Sequence, residues 1–217
     1  MIKKLSLLLL TLGLLTACGG AKEKVEEDII TDPNRGETST KSWDTPPEMA
    51  IETGQKLKAI IETSKGDMKV ELFADDAPKT VNNFVFLAKE DFYNNVVFHR
   101  IMKDFMIQTG DPTGTGMGGP GYTFEDELPS PYSYDKGIVA MANAGANTNS
   151  SQFFICSGPD CARSLNPNPN YTIFGRVIEG EDVLDQLAST PVKAGPTGEP
   201  SQPTEEVYIK QIVIEEE

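Results

Sequence analysis

Two stretches of the chain contain the side chains that could do chemistry. The first, FHRIMKDFMIQ from Phe98 to Gln108, places one arginine, Arg100, among aromatic and aliphatic residues and ends in an amide. The second, MANAGANTNSSQFFI from Met141 to Ile155, adds small residues, several amides and a pair of phenylalanines. Neither stretch offers a convincing nucleophile, a paired acid and base, or a metal cluster. A pocket built from them suits a reaction in which no covalent bond to the protein forms.

Short strands and two helices must position these side chains. Helical spacing predicts one helix that starts near Pro78 and a second over Glu181–Ala188, and Lys65-Gly66 suits a hairpin turn. Many short strands with two helices favour a closed barrel. The predicted strands are Leu57–Ser64, Asp67–Phe73, Val96–Arg100, Phe105–Thr109, Ile138–Ala142, Gln152–Ile155, Thr172–Val177 and Val207–Ile214.

The two stretches closely resemble the cyclophilin-type peptidyl-prolyl cis-trans isomerases, and the resemblance extends from about Leu57 to Ile214. It implies a mainly β fold, a closed eight-stranded antiparallel β-barrel capped by two α-helices. The substrate would lie on the outer face of this barrel. It also implies isomerisation of X-Pro bonds with neither cofactor nor metal.

Within this resemblance, Arg100 is the expected catalytic residue. Rotation of a prolyl peptide bond crosses a barrier of about 20 kcal/mol. A fixed donor aimed at the amide nitrogen stabilises the twisted form more than the planar one. The alternative is that Arg100 only neutralises a nearby carboxylate.

The family pattern also implies the residues that hold the peptide. Phe154 is expected to line an apolar slot for the proline ring, and its neighbour Phe153 is expected to lie in the barrel core. Adjacent residues of a strand point to opposite faces. Gln152 is expected to support either Arg100 or the peptide. The expected substrate-binding residues are Phe105, Met106, Gln108, Ala142, Asn143, Gln152, Phe154, Leu165 and Tyr171.

The chain departs from the animal-type pattern near the slot. Ser164 stands where that pattern has a tryptophan, Tyr171 stands where it has a histidine, and Pro167–Asn170 resembles an insertion. A tyrosine can still close the slot and donate a hydrogen bond. Catalysis is therefore expected to persist.

Two other features could suggest different chemistry. His99 is the single histidine, but no serine or cysteine is placed to partner it, so a structural role is expected. The glycine-rich run Gly114–Gly121 lacks the GK[ST] signature and a following helix, so it does not indicate a phosphate-binding loop.

The N-terminus resembles a bacterial lipoprotein signal. Lys3 and Lys4 precede an apolar run that ends in Leu15-Thr16-Ala17-Cys18. We expect removal of residues 1–17, acylation of Cys18 and attachment to the extracytoplasmic face of the cell membrane. The alternative is an ordinary secretory signal with an incidental cysteine.

Residues 18–55 are expected to form a flexible, acidic linker before an isomerase domain over residues 56–217. Trp43 is the one aromatic residue in this linker, and we expect it to be incidental. Cys156 and Cys161 could pair outside the cytosol, but a buried free thiol is equally consistent with the sequence.

Net charge excludes some partners. The chain has a formal charge of −14, and loss of residues 1–17 removes two lysines and no acid, which gives −16. Such a surface argues against nucleic acid and against lying flat on anionic lipid.

The sequence therefore predicts a monomeric, membrane-tethered isomerase that acts on proline-containing segments of exported proteins. The alternative is a catalytically weak, cyclophilin-like chaperone or proline-peptide binding module. A hydrolase is disfavoured, because no motif assembles a nucleophile.

Overall fold

The computed structural model describes residues 29–216, and its main feature is a curled antiparallel sheet of eight strands. These strands are β1 (Leu57–Thr63), β2 (Gly66–Leu72), β3 (Arg100–Met102), β4 (Met106–Thr109), β5 (Ile138–Met141), β6 (Phe153–Cys156), β7 (Ile173–Glu179) and β10 (Ile209–Glu216). Their order is β10-β1-β2-β7-β5-β6-β4-β3. A separate hairpin pairs β8 (Val192–Ala194) with β9 (Pro200–Pro203).

The mainly β prediction is confirmed, but a closed barrel overstates the closure of the sheet. The edge strands β10 and β3 approach each other through the residues beside them. Val97 and Tyr208 form an isolated bridge, and the Phe98 amide donates to the Val207 carbonyl at 2.9 Å. The sheet is thus curled nearly into a barrel and joined by a short contact.

The described residues contain three helices rather than the two that were predicted: α1 (Pro78–Lys89), α2 (Pro159–Leu165) and α3 (Glu181–Ala188). Helix α1 begins with proline, and its apolar stripe, including Phe84, is buried. Helix α3 buries Leu184 and Leu187 in the same way. The additional helix, α2, is tied to β6 by a disulfide bond between Cys161 and Cys156, the pairing that the sequence left open.

Strand alternation divides the apolar residues into two clusters. Ile107 and Phe153 are fully buried in the main core inside the curled sheet. Their neighbours Met106 and Phe154 belong to a second cluster on the outer face. Successive side chains of a strand point to opposite faces, so the pattern predicted from the sequence is confirmed. The second cluster forms the apolar floor of a groove.

Residues 29–55, here called the N-terminal arm, lie against the domain. Trp43 packs on Phe86 with ring centroids 5.1 Å apart, and its amide donates to the Pro120 carbonyl at 2.8 Å. The Arg35 guanidinium binds both carboxylate oxygens of Glu206, at 3.0 and 3.1 Å. The expectation that Trp43 is incidental is therefore wrong, and the arm makes contacts that a freely flexible linker would lack.

Among the described residues 29–216, no helix has the length and apolar character needed to cross a membrane. The predicted signal segment and Cys18 lie outside the described residues.

Candidate active site

A cavity of about 240 Å³ opens on the outer face of the curled sheet. We call it the groove. It is lined by Arg100, Phe105, Met106, Gln108, Ala142, Asn143, Phe154, Leu165 and Tyr171. The structure thus brings together every site residue predicted from the sequence except Gln152.

Strand register explains why residues distant in sequence meet in the groove. Arg100 on β3 pairs with Gln108 on β4, and Gln108 pairs with Phe154 on β6. These three side chains form one row across three neighbouring strands. A polar donor, an amide and an aromatic ring therefore lie side by side.

The apolar part of the groove is a slot suited to a small ring. Met106 and Phe154 are buried in its floor, with exposed fractions of 2% and 5%. Tyr171 meets Phe154 edge to face, with ring centroids 5.5 Å apart. Phe105 and Leu165 pack on the same cluster. An apolar ligand group would gain contact on several sides here.

The Arg100 guanidinium is held by a carboxylate, as the alternative interpretation of Arg100 allowed, but the sequence did not identify this partner as Glu199. Its Nε and Nη2 donate to the two carboxylate oxygens of Glu199, at 2.8 and 3.0 Å. Hydrogen bonding from Arg100 lowers the pKa of Glu199 despite partial burial of that carboxyl, so it is ionised near neutral pH. Nη1 is directed toward Met106, whose sulfur lies 3.9 Å away, a weak contact. One edge of the fork is thus bound and the other faces the slot.

Gln152 lies behind the groove and supports its amide. Gln108 donates to the side-chain oxygen of Gln152 at 3.0 Å. Gln152 in turn donates to the carbonyls of Gly116 and Gly118, at 3.0 and 2.9 Å. It therefore couples Gln108 to the glycine-rich loop and makes no hydrogen bond to Arg100 among those found in the described residues.

The far wall of the groove depends on buried Tyr134, which the sequence analysis also missed. The Tyr134 hydroxyl donates to the Tyr171 carbonyl at 2.6 Å and accepts from the Tyr171 amide at 3.0 Å. Its backbone amide donates to Asn166 at 2.9 Å. Asn143 donates to the Asn170 carbonyl at 3.1 Å. These bonds fix the segment around the insertion-like Pro167–Asn170.

The glycine-rich loop is organised by Asp111, which is fully buried. Its carboxylate accepts from the backbone amides of Thr113, Gly116 and Gly118, at 2.7, 2.7 and 3.0 Å. Burial opposes ionisation of Asp111 most strongly, but the hydrogen bonds together outweigh it and lower its pKa. Because one carboxylate takes up these amides, they are not available to a phosphate.

His99 lies outside the groove. It lines a larger cavity of about 670 Å³ between the N-terminal arm and the sheet. Burial lowers the pKa of His99, with opposing effects of Asp111 and Arg100. Neither ring nitrogen finds a hydrogen-bond partner among the described residues. Because His99 lines this larger cavity and not the groove, it is not placed to act as acid or base on a peptide in the groove.

Comparisons with known proteins agree with this geometry. Residues 58–214 match the sequence profile of the family described as cyclophilin type peptidyl-prolyl cis-trans isomerase/CLD. The chain is 43% identical over 162 residues to peptidyl-prolyl cis-trans isomerase-like 3 of Rattus norvegicus, which covers 73% of this chain and 96% of that protein.

Solved structures give the same result. A crystal structure of a Cryptosporidium parvum cyclophilin-type isomerase is 40% identical, with a TM-score of 0.65, and the match covers 74% of this chain and 98% of that chain. A second crystal structure of the same protein, in the presence of the dipeptide Ala-Pro, is 41% identical, with a TM-score of 0.64 and 73% and 98% coverage.

Proposed function

The chain belongs to the cyclophilin-type peptidyl-prolyl cis-trans isomerases, and from this premise we propose that Arg100 catalyses the isomerisation, in exported proteins, by stabilising the twisted amide. Isomerase activity follows from family membership. The identity of the catalytic group and of the clients is our proposal. The observation that carries it is the free edge of the Arg100 guanidinium beside the apolar slot.

The chemical argument starts from the planar peptide bond. Resonance gives the prolyl amide partial double-bond character, and rotation crosses a barrier of about 20 kcal/mol. When the bond twists, the nitrogen becomes pyramidal and regains a lone pair. A donor that meets this lone pair lowers the barrier, because its contact is stronger in the transition state than in either planar form.

The groove meets the geometric requirements of this mechanism. The proline ring would enter the slot floored by Met106 and Phe154, which brings the prolyl nitrogen toward Arg100 on the neighbouring strand. Gln108 would hold the peptide on the polar side. The structure of the relative in the presence of Ala-Pro supports a proline-containing peptide as the substrate. No step requires a covalent intermediate or a transferred proton.

Kinetics on three variants at two groove residues test this assignment. Arg100→Ala should lower kcat by about 100-fold to 1000-fold, the usual loss for one transition-state donor, with little change in KM. Arg100→Lys should restore little, since a point charge cannot reproduce the fixed fork. Phe154→Ala should raise KM as well as lower kcat, because it opens the slot.

Circular dichroism provides the folding control for these variants. An Arg100→Ala protein that isomerises a proline peptide at the wild-type rate would refute the arginine mechanism. A wild-type chain that binds proline peptides with no measurable turnover would favour the chaperone or binding module instead.

We also propose that the protein is a monomer anchored by lipid on Cys18 at the extracytoplasmic face of the membrane. The signal-like residues 1–17 support this, and so does the Cys156–Cys161 disulfide, because disulfides persist in oxidising compartments. Mass spectrometry of membrane fractions should find an acylated Cys18 at the N-terminus, and Cys18→Ala should abolish anchoring. An unmodified cysteine or an intact signal would contradict this anchor.

A further inference from the structure

We infer that Glu199 is the positioning residue for Arg100: its carboxylate fixes the guanidinium so that Nη1 faces the prolyl amide. This inference rests on the proposed role of Arg100 and deepens it. Glu199 does not line the groove, and it would act through the arginine rather than on the substrate.

The contact between Glu199 and Arg100 has the geometry that orients a guanidinium. Nε and Nη2 each meet a different carboxylate oxygen, at 2.8 and 3.0 Å, so the planar fork cannot rotate without losing a hydrogen bond. The two side chains are 34% and 31% exposed, which leaves the pair only partly screened by water. An arginine without this partner would sample many rotamers.

A second arginine of the chain shows what a purely structural pair looks like. Arg35 also binds one carboxylate, that of Glu206, through Nε and Nη2, at 3.1 and 3.0 Å. Its Nη1 donates to the Asn95 carbonyl at 2.9 Å, which satisfies the remaining edge. The Nη1 of Arg100 has only the sulfur of Met106 at 3.9 Å. The guanidinium of Arg35 therefore has oxygen acceptors on both edges, whereas the guanidinium of Arg100 has them on one edge only.

The hairpin of β8 and β9 holds Glu199 independently of the arginine. The Gly195 amide donates to the Glu199 carbonyl at 2.7 Å, and the Gly198 amide donates to the Gly195 carbonyl at 2.9 Å. Gly198 has φ +84°, a left-handed conformation that favours glycine. The turn is thus closed by its own backbone, and it presents the carboxylate to β3 from outside the main sheet.

Two consequences of losing Glu199 oppose each other. The carboxylate draws positive charge away from the guanidinium, so its removal would strengthen each remaining N–H as a donor. Its removal would also free the arginine to leave the position that the twisted amide requires. Misplacement of a catalytic group by about 1 Å can cost as much as 100-fold in rate, so we expect loss of position to prevail.

The experiment is a double-mutant cycle in the full chain, with kcat and KM measured on a proline peptide. Glu199→Gln preserves side-chain size but replaces one of the two acceptor oxygens that Nε and Nη2 use by an NH2 donor. It should lower kcat by about 5-fold to 20-fold and leave KM within about twofold, because the lost interaction acts in the transition state. Glu199→Asp should recover part of the loss seen in Glu199→Ala. In the Arg100→Ala background, Glu199→Gln should have no further effect.

Glu206→Gln is the matched control, since it breaks the equivalent pair in the arm. It should lower the melting temperature and leave kcat unchanged. Wild-type kcat in Glu199→Gln, beside a large loss in Arg100→Ala, would overturn this inference and leave the proposed function intact. Equal losses from Glu199→Gln in both backgrounds would also overturn it. Wild-type kcat in Arg100→Ala would instead refute the proposed role of Arg100.

Discussion

Two cavities among the described residues are connected through one glycine-rich loop but differ in chemistry. The groove measures about 240 Å³, and the cavity under the N-terminal arm, here called the arm cavity, measures about 670 Å³. Loop residues 112–114 and 119 line the arm cavity, while the carbonyls of Gly116 and Gly118 hold Gln152 behind the groove. The smaller cavity contains all but one of the residues expected to act on a peptide.

The difference lies in how the cationic side chains are satisfied, because the ring nitrogens of His99 in the arm cavity also lack hydrogen-bond partners among the described residues. In the arm cavity, Arg35 is saturated by Glu206 and Asn95, and Lys41 donates to both the carbonyl and the carboxylate of Glu90. In the groove, Arg100 keeps one edge directed at an apolar slot. A guanidinium with one edge unbound beside an apolar surface is thus a better indicator of the catalytic cavity than cavity volume is.

This comparison predicts the outcome of three kinds of experiment. A change in the shared loop should alter stability and turnover together. A change in the arm should alter stability alone. A change of pH near neutrality should leave turnover unchanged, because the proposed mechanism transfers no proton.

Of the effects that test this comparison, the largest is expected from Asp111→Ala in the shared loop. It leaves several backbone amides without their acceptor and should lower the free energy of unfolding by roughly 3 kcal/mol. Loss of the loop shape should also displace the carbonyls that hold Gln152, so kcat/KM should fall by about 10-fold, given the sensitivity of catalysis to position. Urea unfolding and the peptide assay measure the two effects.

Asp75→Ala serves as the control for Asp111→Ala. Asp75 accepts one exposed backbone bond, from the Gly54 amide at 2.7 Å, so its loss should cost less than about 1 kcal/mol. If Asp111→Ala destabilised the protein but kept the wild-type kcat/KM, the glycine-rich loop would not couple the two cavities.

A smaller effect is expected from Trp43→Ala in the arm. Its ring packs edge to face on Phe86 and against Phe92, at centroid distances of 5.1 and 5.9 Å. Removing this partly buried ring should lower the free energy of unfolding by roughly 1–3 kcal/mol. Both kcat and KM should stay within about twofold of wild type.

Met49→Ala is the matched control, because this arm residue is 53% exposed and should be nearly neutral for stability. A lower melting temperature for Trp43→Ala, with kcat and KM unchanged, would establish the arm as a support for the fold. A fall in kcat for Trp43→Ala would show instead that the arm acts on the groove.

Most of the sheet could be predicted from the sequence because β-branched and apolar residues recur along its strands. The pattern found β1, β2, β4, β5, β6, β7 and β10 with errors of a few residues. It placed β3 too early, since Val96 and Phe98 contribute to the closing contact rather than to a long strand. The hairpin of β8 and β9 was missed, because Pro200 and Pro203 resemble loop residues and are tolerated only in edge strands.

The groove was predicted largely through family resemblance, and its supports were not predicted. Glu199 is 99 positions from Arg100, and no local pattern connects them. Asp111 and Tyr134 act through backbone groups, which leave no signature in side-chain spacing. The arm was misjudged for a related reason, since Trp43 and Arg35 dock on partners far along the chain. Composition describes the average tendency of such a segment, not its few specific contacts.

The smallest effect is expected from pH, for which we predict nearly constant kcat/KM between about pH 6 and 9. Hydrogen bonding with Arg100 lowers the pKa of Glu199 below its usual value, so this carboxylate remains ionised throughout the range. Burial lowers the pKa of His99 from its usual value of 6.5, so the folded protein keeps this ring neutral. A lowered histidine pKa means that the unfolded chain binds the proton first, so stability should begin to decline only as pH falls below about 6.5.

Rate and stability profiles measured on the same samples separate these effects. Activity should also withstand EDTA, since the described residues contain no group of three His, Cys, Asp or Glu side chains able to hold a metal ion. A rate that falls steeply as the pH drops below about 6.5 would implicate His99, whose pKa is lowered by burial, as acid or base and move the chemistry toward the arm cavity. If catalysis takes place in the groove and His99 affects only stability, kcat/KM should stay constant while stability declines on the acidic side.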